Sequence, residues 1–178
     1  SEMFYKFEII PNSIDYEKFS FSQNHRNKIR EQFDISDETF LIGHVGHFML
    51  IKNHEFFINL LKKISPNLKI KILLIGIDLG SKLNFIKKAK NNNLLEYFII
   101  HDYAVNINEF YSAFDVFIFP SFNEGLPLSL LEAQANGLKC FYSNTITSEV
   151  KISEETLSFD INNFSETLIA AVSLLSFV

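Results

Sequence analysis

The sequence predicts an α/β domain of Rossmann-like type, a parallel sheet with helices on both faces. Short β-rich runs alternate with segments of helical period along nearly the whole chain, the pattern of strands joined by crossover helices. The 178 residues are enough for one well-cored domain and short for two. No internal repeat, low-complexity tract or linker interrupts them, so a single domain over residues 1–178 is expected.

Each element has its own signal. A helix is predicted over 24–33, where Ile29 and Phe33 stand four apart, and a strand over 40–48. Phe56, Phe57, Leu60, Leu61 and Ile64 give a helical period over 53–64, with Asn53 as its N-cap. A strand over 69–75 ends in Gly76, and a helix over 81–90 follows. In that helix Lys82, Lys87, Lys88 and Lys90 surround Leu83, Phe85, Ile86 and Ala89, which fits a solvated face better than a polyanion site. A strand over 97–100, a short helix over 108–114 and a buried strand over 116–119 halted by Pro120 come next. A helix over 126–136 closes at Gly137, the usual residue past a helix end. Strands over 138–142 and 157–160 and a helix over 164–175 complete the pattern. Both ends look cut: residues 1–10 run straight into Pro11-Asn12-Ser13, and 168–178 is apolar and uncapped. The expectation is an excised domain.

Composition removes several classes of function. A formal net charge of −5 leaves no electrostatic footprint for nucleic acid. A single cysteine, Cys140, excludes an intrachain disulfide and fits a small core residue. His25, His44, His47, His54 and His101 are scattered without ligand spacing, so no metal is expected. The twenty phenylalanines are best ascribed to a biased genome. The chain opens without a basic region and apolar core, and no stretch approaches the roughly 18 apolar residues of a membrane helix. A cytoplasmic protein is expected, at the inner face of the membrane if the full-length protein makes peripheral contact there.

The informative stretch is Pro120-Ser-Phe-Asn-Glu-Gly-Leu-Pro-Leu-Ser-Leu-Leu-Glu-Ala-Gln-Ala-Asn-Gly137. A buried strand ends, a loop presents Glu124 and Gly125, and a helix begins near Leu126 with Pro127 in its first turn, where a missing N–H is no loss. Such a turn aims backbone N–H groups at the C-terminal edge of the sheet, where phosphates bind. The helix is apolar almost all round and is expected to be buried, so its Glu132 needs a partner. Ribose hydroxyls would serve, and so would a lysine or a backbone N–H within the domain.

Glu124 and Glu132, with seven residues between them and Gly after the first, resemble the Glu-x7-Glu motif of glycosyltransferase family 4. The similarity continues in Leu130-Leu-Glu-Ala-x-Ala-x-Gly137 and Asp115-Val-Phe-Ile-Phe-Pro-Ser121. It extends to Asn12-Ser-Ile-Asp15 with Phe19, to Gly43 through Lys52-Asn-His54, and to Leu74-Ile-Gly76. Members with Glu-Gly-Leu-Pro in this loop look like capsule or exopolysaccharide enzymes. The resemblance implies the C-terminal, donor-binding half of a GT-B glycosyltransferase that retains anomeric configuration and uses no metal. The donor would be a nucleoside diphosphate sugar, with UDP the favoured carrier, and the saccharide acceptor would bind an absent N-terminal half. Alone, the fragment is expected to bind donor weakly and catalyse nothing.

The resemblance also implies roles. Lys52 would bind the diphosphate and Glu124 the sugar hydroxyls, these two being the catalytic candidates. Backbone N–H groups of Gly125, Leu126 and Leu128 would line phosphate and sugar, Glu132 would hold the ribose, and His101-Asp102-Tyr103 would flank the base, largely through backbone contacts. Without the motif, Lys52 is a surface lysine before a helix. Three positions depart from the family: His47 follows Gly46 where arginine is usual, Ser13 replaces a glycine, and His101 replaces another. An imidazole carries only part of a charge near neutrality, so His47 weakens the diphosphate site. A non-catalytic nucleotide-binding module and a GT-B epimerase are the alternatives. A plain NAD domain is disfavoured because Gly-x-Gly-x-x-Gly is absent.

Overall fold

The computed structural model describes residues 13–64 and 68–162. The expected helix over 164–175, Asn12 and the two chain ends lie outside the described residues. Among the described residues six strands form one sheet: β1 (Phe40–Val45), β2 (Ile70–Ile75), β3 (Phe98–His101), β4 (Val116–Phe119), β5 (Cys140–Ser143) and β6 (Thr156–Phe159). All pair in parallel in the order β3-β2-β1-β4-β5-β6. The order reverses between β1 and β4, which creates a crevice at their C-terminal ends.

Side chains alternate between the two faces of each strand. Ile42, Ile72, Leu74, Val116 and Ile118 pack on one face with α3 (Glu55–Leu61) and α4 (Lys82–Asn91), through Phe56, Phe57, Leu60, Phe85 and Ala89. Leu41, Leu73, Ile75, Phe117 and Phe119 pack on the other. There they meet α1 (Tyr16–Phe19), α2 (Gln23–Gln32), α5 (Ile107–Tyr111) and α6 (Leu128–Ala135). The predicted two-faced Rossmann-like architecture is observed.

Boundaries shift where local chemistry intervenes. Ser22 caps α2 by accepting from the His25 N–H. The helix predicted from Asn53 instead starts at Glu55. A 3-10 turn, Leu50–Lys52, precedes it, and Asn53 adopts φ +52°, so its side chain caps nothing and donates to the Pro120 carbonyl at 3.2 Å. Pro127 sits at the N-cap of α6, one residue before the first turn expected for it. Gly137 follows Asn136 with φ +86°, a left-handed conformation that glycine reaches without penalty, and lets Leu138 N–H reach the Ala133 carbonyl.

Asp115 ties the sheet to α2. It pairs with Arg26 at 2.6 Å and with the buried Arg30 at 3.3 Å, and accepts from the Leu41 N–H at 2.7 Å. Arg30 also donates to the Ala113, Ser36 and Thr39 carbonyls, which accounts for a guanidinium only 3% exposed. Of the lysines in α4, Lys87, Lys88 and Lys90 are exposed, as a solvated face requires. Cys140 is buried, and burial pushes its thiol well above the ordinary cysteine range, so it stays protonated and unreactive.

Candidate functional site

The register explains the crevice. β1 and β2 pair along all six residues, whereas β1 and β4 pair only at Ile42 with Val116 and Gly43 with Phe117. Beyond Gly43 the strands separate, and His44 occupies the split, its Nδ1 donating to the Ile118 carbonyl at 3.0 Å. The ring of His44 meets that of His54 edge-on at 4.9 Å, and His54 stacks on Phe48 at 4.1 Å. Burial lowers the pKa of both imidazoles, that of His54 to about 4, so both are neutral at pH 7.

Above this layer lies a cavity of about 400 Å³. One wall is made by the ends of β1 to β3. Gly46 N–H donates to Ile75 and Gly76 N–H to His101, each at 2.9 Å. The backbones are so close that a Cβ on Gly76 would come within 2.1 Å of the Gly46 carbonyl oxygen, so only glycine fits. The other wall is the turn from Glu124 to Ser129 leading into α6.

Two hydrogen bonds cross the crevice and hold the loops together: Phe122 N–H to the Ile51 carbonyl at 2.9 Å, and Asn53 to Pro120. They bring Lys52 to Glu124, Nζ to Oε1 at 2.8 Å, with side chains 16% and 19% exposed. Lys52 Nζ also stands 4.9 Å from the centre of the Phe119 ring, a cation–π contact. A cation and a carboxylate from opposite sides of the switch point thus meet in one cavity.

His47, Leu126 and Leu128 also line this cavity, with Asp102 and Tyr103 from the loop after β3. Leu128 is 47% exposed toward it, so α6 is not buried all round as its composition suggests. Gly125 is exposed, with open space where a Cβ would point. The side chain of His101 lies away from the cavity. As the last residue of β3 it turns its ring onto Phe110 and Phe33, 5.5 Å from each, and only Asp102 and Tyr103 reach the cavity. Asp102 is paired with Lys82.

Glu132 stands one turn beyond Leu128 on α6. The partner expected inside the domain was a lysine or a backbone N–H; it is Tyr111, whose hydroxyl donates to Glu132 Oε2 at 2.6 Å. Tyr111 has no motif spacing of its own, and only the packing of α5 against α6 reveals it.

A larger cavity, about 530 Å³, is lined by Met49, Leu50, Asn84, Phe85, Phe122 and Asn123 among others and contains none of the expected site residues. Among the described residues no cluster of three His, Cys, Asp or Glu side chains is placed to hold a metal, and no helix is long and apolar enough to cross a membrane.

Comparison with known proteins places this geometry. The sequence profile of Glycosyl transferases group 1 matches residues 25–167. The chain is 32% identical over 172 residues to the putative glycosyltransferase EpsF of Bacillus subtilis, covering 93% of this chain and 44% of that protein. It is 30% identical over 173 residues to an Escherichia coli UDP-Gal:α-D-GlcNAc-diphosphoundecaprenol α-1,3-galactosyltransferase, covering 92% and 44%. The fold matches that of Anabaena HepE, solved in complex with UDP, with a TM-score of 0.81 at 17% identity, over 94% of this chain and 47% of HepE. The chain therefore spans about half the length of the curated relatives it matches. With the profile covering most of the sequence, and relatives at 30% identity or more matching over nine-tenths of it, the chain belongs to the group 1 glycosyl transferases.

Proposed function

We propose that this chain binds the nucleoside diphosphate sugar, with UDP as the carrier, for a retaining transferase that passes the sugar to a saccharide acceptor in surface polysaccharide synthesis. The observation that carries this is the convergence of Lys52 and Glu124 in one cavity at the switch point, beside the N-terminus of α6. As the bond from the anomeric carbon to the diphosphate breaks, negative charge builds on the leaving phosphate. Lys52 and the first-turn N–H groups of α6 would stabilise it without a metal. Glu124 would accept hydrogen bonds from sugar hydroxyls, Glu132 from the ribose, and the backbone of Asp102 and Tyr103 would flank the base. Gly125 leaves room for the ligand at the turn.

Titration calorimetry on this chain should show UDP binding in preference to NAD. Glu132→Ala should weaken UDP binding by about 1–3 kcal/mol if a ribose hydrogen bond is lost. Unchanged affinity in a folded Glu132→Ala variant would remove the ribose role. A second reading, a nucleotide-binding module without catalysis, is favoured by His47 at the cavity in place of arginine. Sugar transfer measured on the full-length protein separates the two.

A further inference from the structure

Tyr111 is fully buried, and its ring is held by Phe19 at 5.8 Å, Phe114 at 6.0 Å and Phe117 at 5.8 Å. Its hydroxyl therefore has a fixed position, and it donates to one oxygen of Glu132. Burial, with the carboxylate beside it, raises the phenol well above its ordinary pKa, so it remains a neutral donor throughout the working pH range. Ile107, one turn before Tyr111, and Leu128, one turn before Glu132, both line the cavity. The pair thus stands side by side immediately behind the cavity wall. Glu132 itself is only partly buried, and Oε2 is the oxygen taken by Tyr111, which leaves Oε1 for a ligand.

We propose that Tyr111 is a positioning residue: it holds Glu132 in the rotamer that meets the ribose, and so sets the preference for nucleotides that carry 2′- and 3′-hydroxyls. This rests on the nucleotide reading of the cavity. A free glutamate has three side-chain torsions to fix on binding, and a short charge-assisted hydrogen bond fixes them beforehand. With Oε2 occupied, Oε1 is the carboxylate oxygen left to accept from the adjacent hydroxyls of a ribose.

The test is calorimetric titration of this chain and its Tyr111→Phe variant with UDP and with 2′,3′-dideoxy-UDP. The parent should favour UDP by about tenfold, the worth of one hydrogen bond to a charged group. Tyr111→Phe should weaken UDP by roughly five- to tenfold while leaving dideoxy-UDP within about twofold of the parent. The dideoxy arm reports whether the site is still folded, since its binding ignores Glu132. Equal weakening of both ligands would make Tyr111 a packing residue only and overturn the proposal, as would unchanged UDP affinity. A parent that binds UDP without distinguishing the two would remove the ribose contact and the proposal with it. A parent that binds neither would remove the nucleotide reading itself.

Discussion

Replacing Glu124 by glutamine should move the affinities for UDP and for UDP-sugar in opposite directions. In the structure the Lys52 ammonium is held by Glu124 at 2.8 Å, with both side chains more than four-fifths buried. Coulomb attraction at that separation is about 6 kcal/mol at an effective dielectric of 20. Desolvation offsets most of it, leaving a net of about 1 kcal/mol for a pair at the mouth of an open cavity. A diphosphate must draw Lys52 away from Glu124 or share it. UDP alone brings no donor-sugar hydroxyls for the displaced carboxylate, its ribose hydroxyls being assigned to Glu132, so the variant should bind UDP about fivefold more tightly, the same ~1 kcal/mol. UDP-sugar should bind about tenfold more weakly, because a carboxylate accepting from sugar hydroxyls is replaced by a neutral amide. Isothermal titration at one fixed ionic strength reads both. Should the two ligands change in the same direction by similar factors, Glu124 does not restrain Lys52, and the pairing is incidental to binding.

Two further outcomes follow from the same site. His47 lines the cavity and is exposed, so His47→Arg should tighten UDP binding by about fivefold, since a guanidinium makes fixed bidentate phosphate contacts. If His47→Arg and His47→Ala both titrate like the parent, residue 47 has no part in the phosphate site. The buried imidazoles should make stability fall in acid. The pKa of His54 is lowered from 6.5 to about 4, so the unfolded chain takes up a proton that the folded one refuses, and its contribution is present above pH 6.5 and lost as pH falls toward 4. That is about 2 kcal/mol between pH 7 and pH 5 from His54, with His44 adding in the same direction. Thermal melting at the two pH values should show the loss, and His54→Phe, which keeps the stack on Phe48, should reduce it. An identical pH dependence in His54→Phe would mean that His54 is not held neutral.

Much of the fold is legible in the chain because its signals are local. Residues 116–119 are a strand that Pro120 stops, and Gly137 ends a helix, whatever surrounds them. The spacing of Glu124 and Glu132 survives in the structure as a loop residue at a cavity mouth and a helix residue behind its wall, because strand, turn and helix are consecutive in sequence. The details that local signals do not carry depend on neighbours distant in the chain. Asn53 surrenders its cap because Pro120, 67 residues away, takes its amide. His101, next to the cavity-lining Asp102, turns its ring inward because Phe33 and Phe110 offer it an aromatic slot. Tyr111 had no sequence signal, since a tyrosine in a short apolar helix is ordinary core until another helix brings a carboxylate to its hydroxyl. Local residue preference settles which segments become strands and helices and which charges they carry. Which of those charges meet is settled by packing, because an ion pair or hydrogen bond between separate elements depends on positions that local backbone preference does not specify.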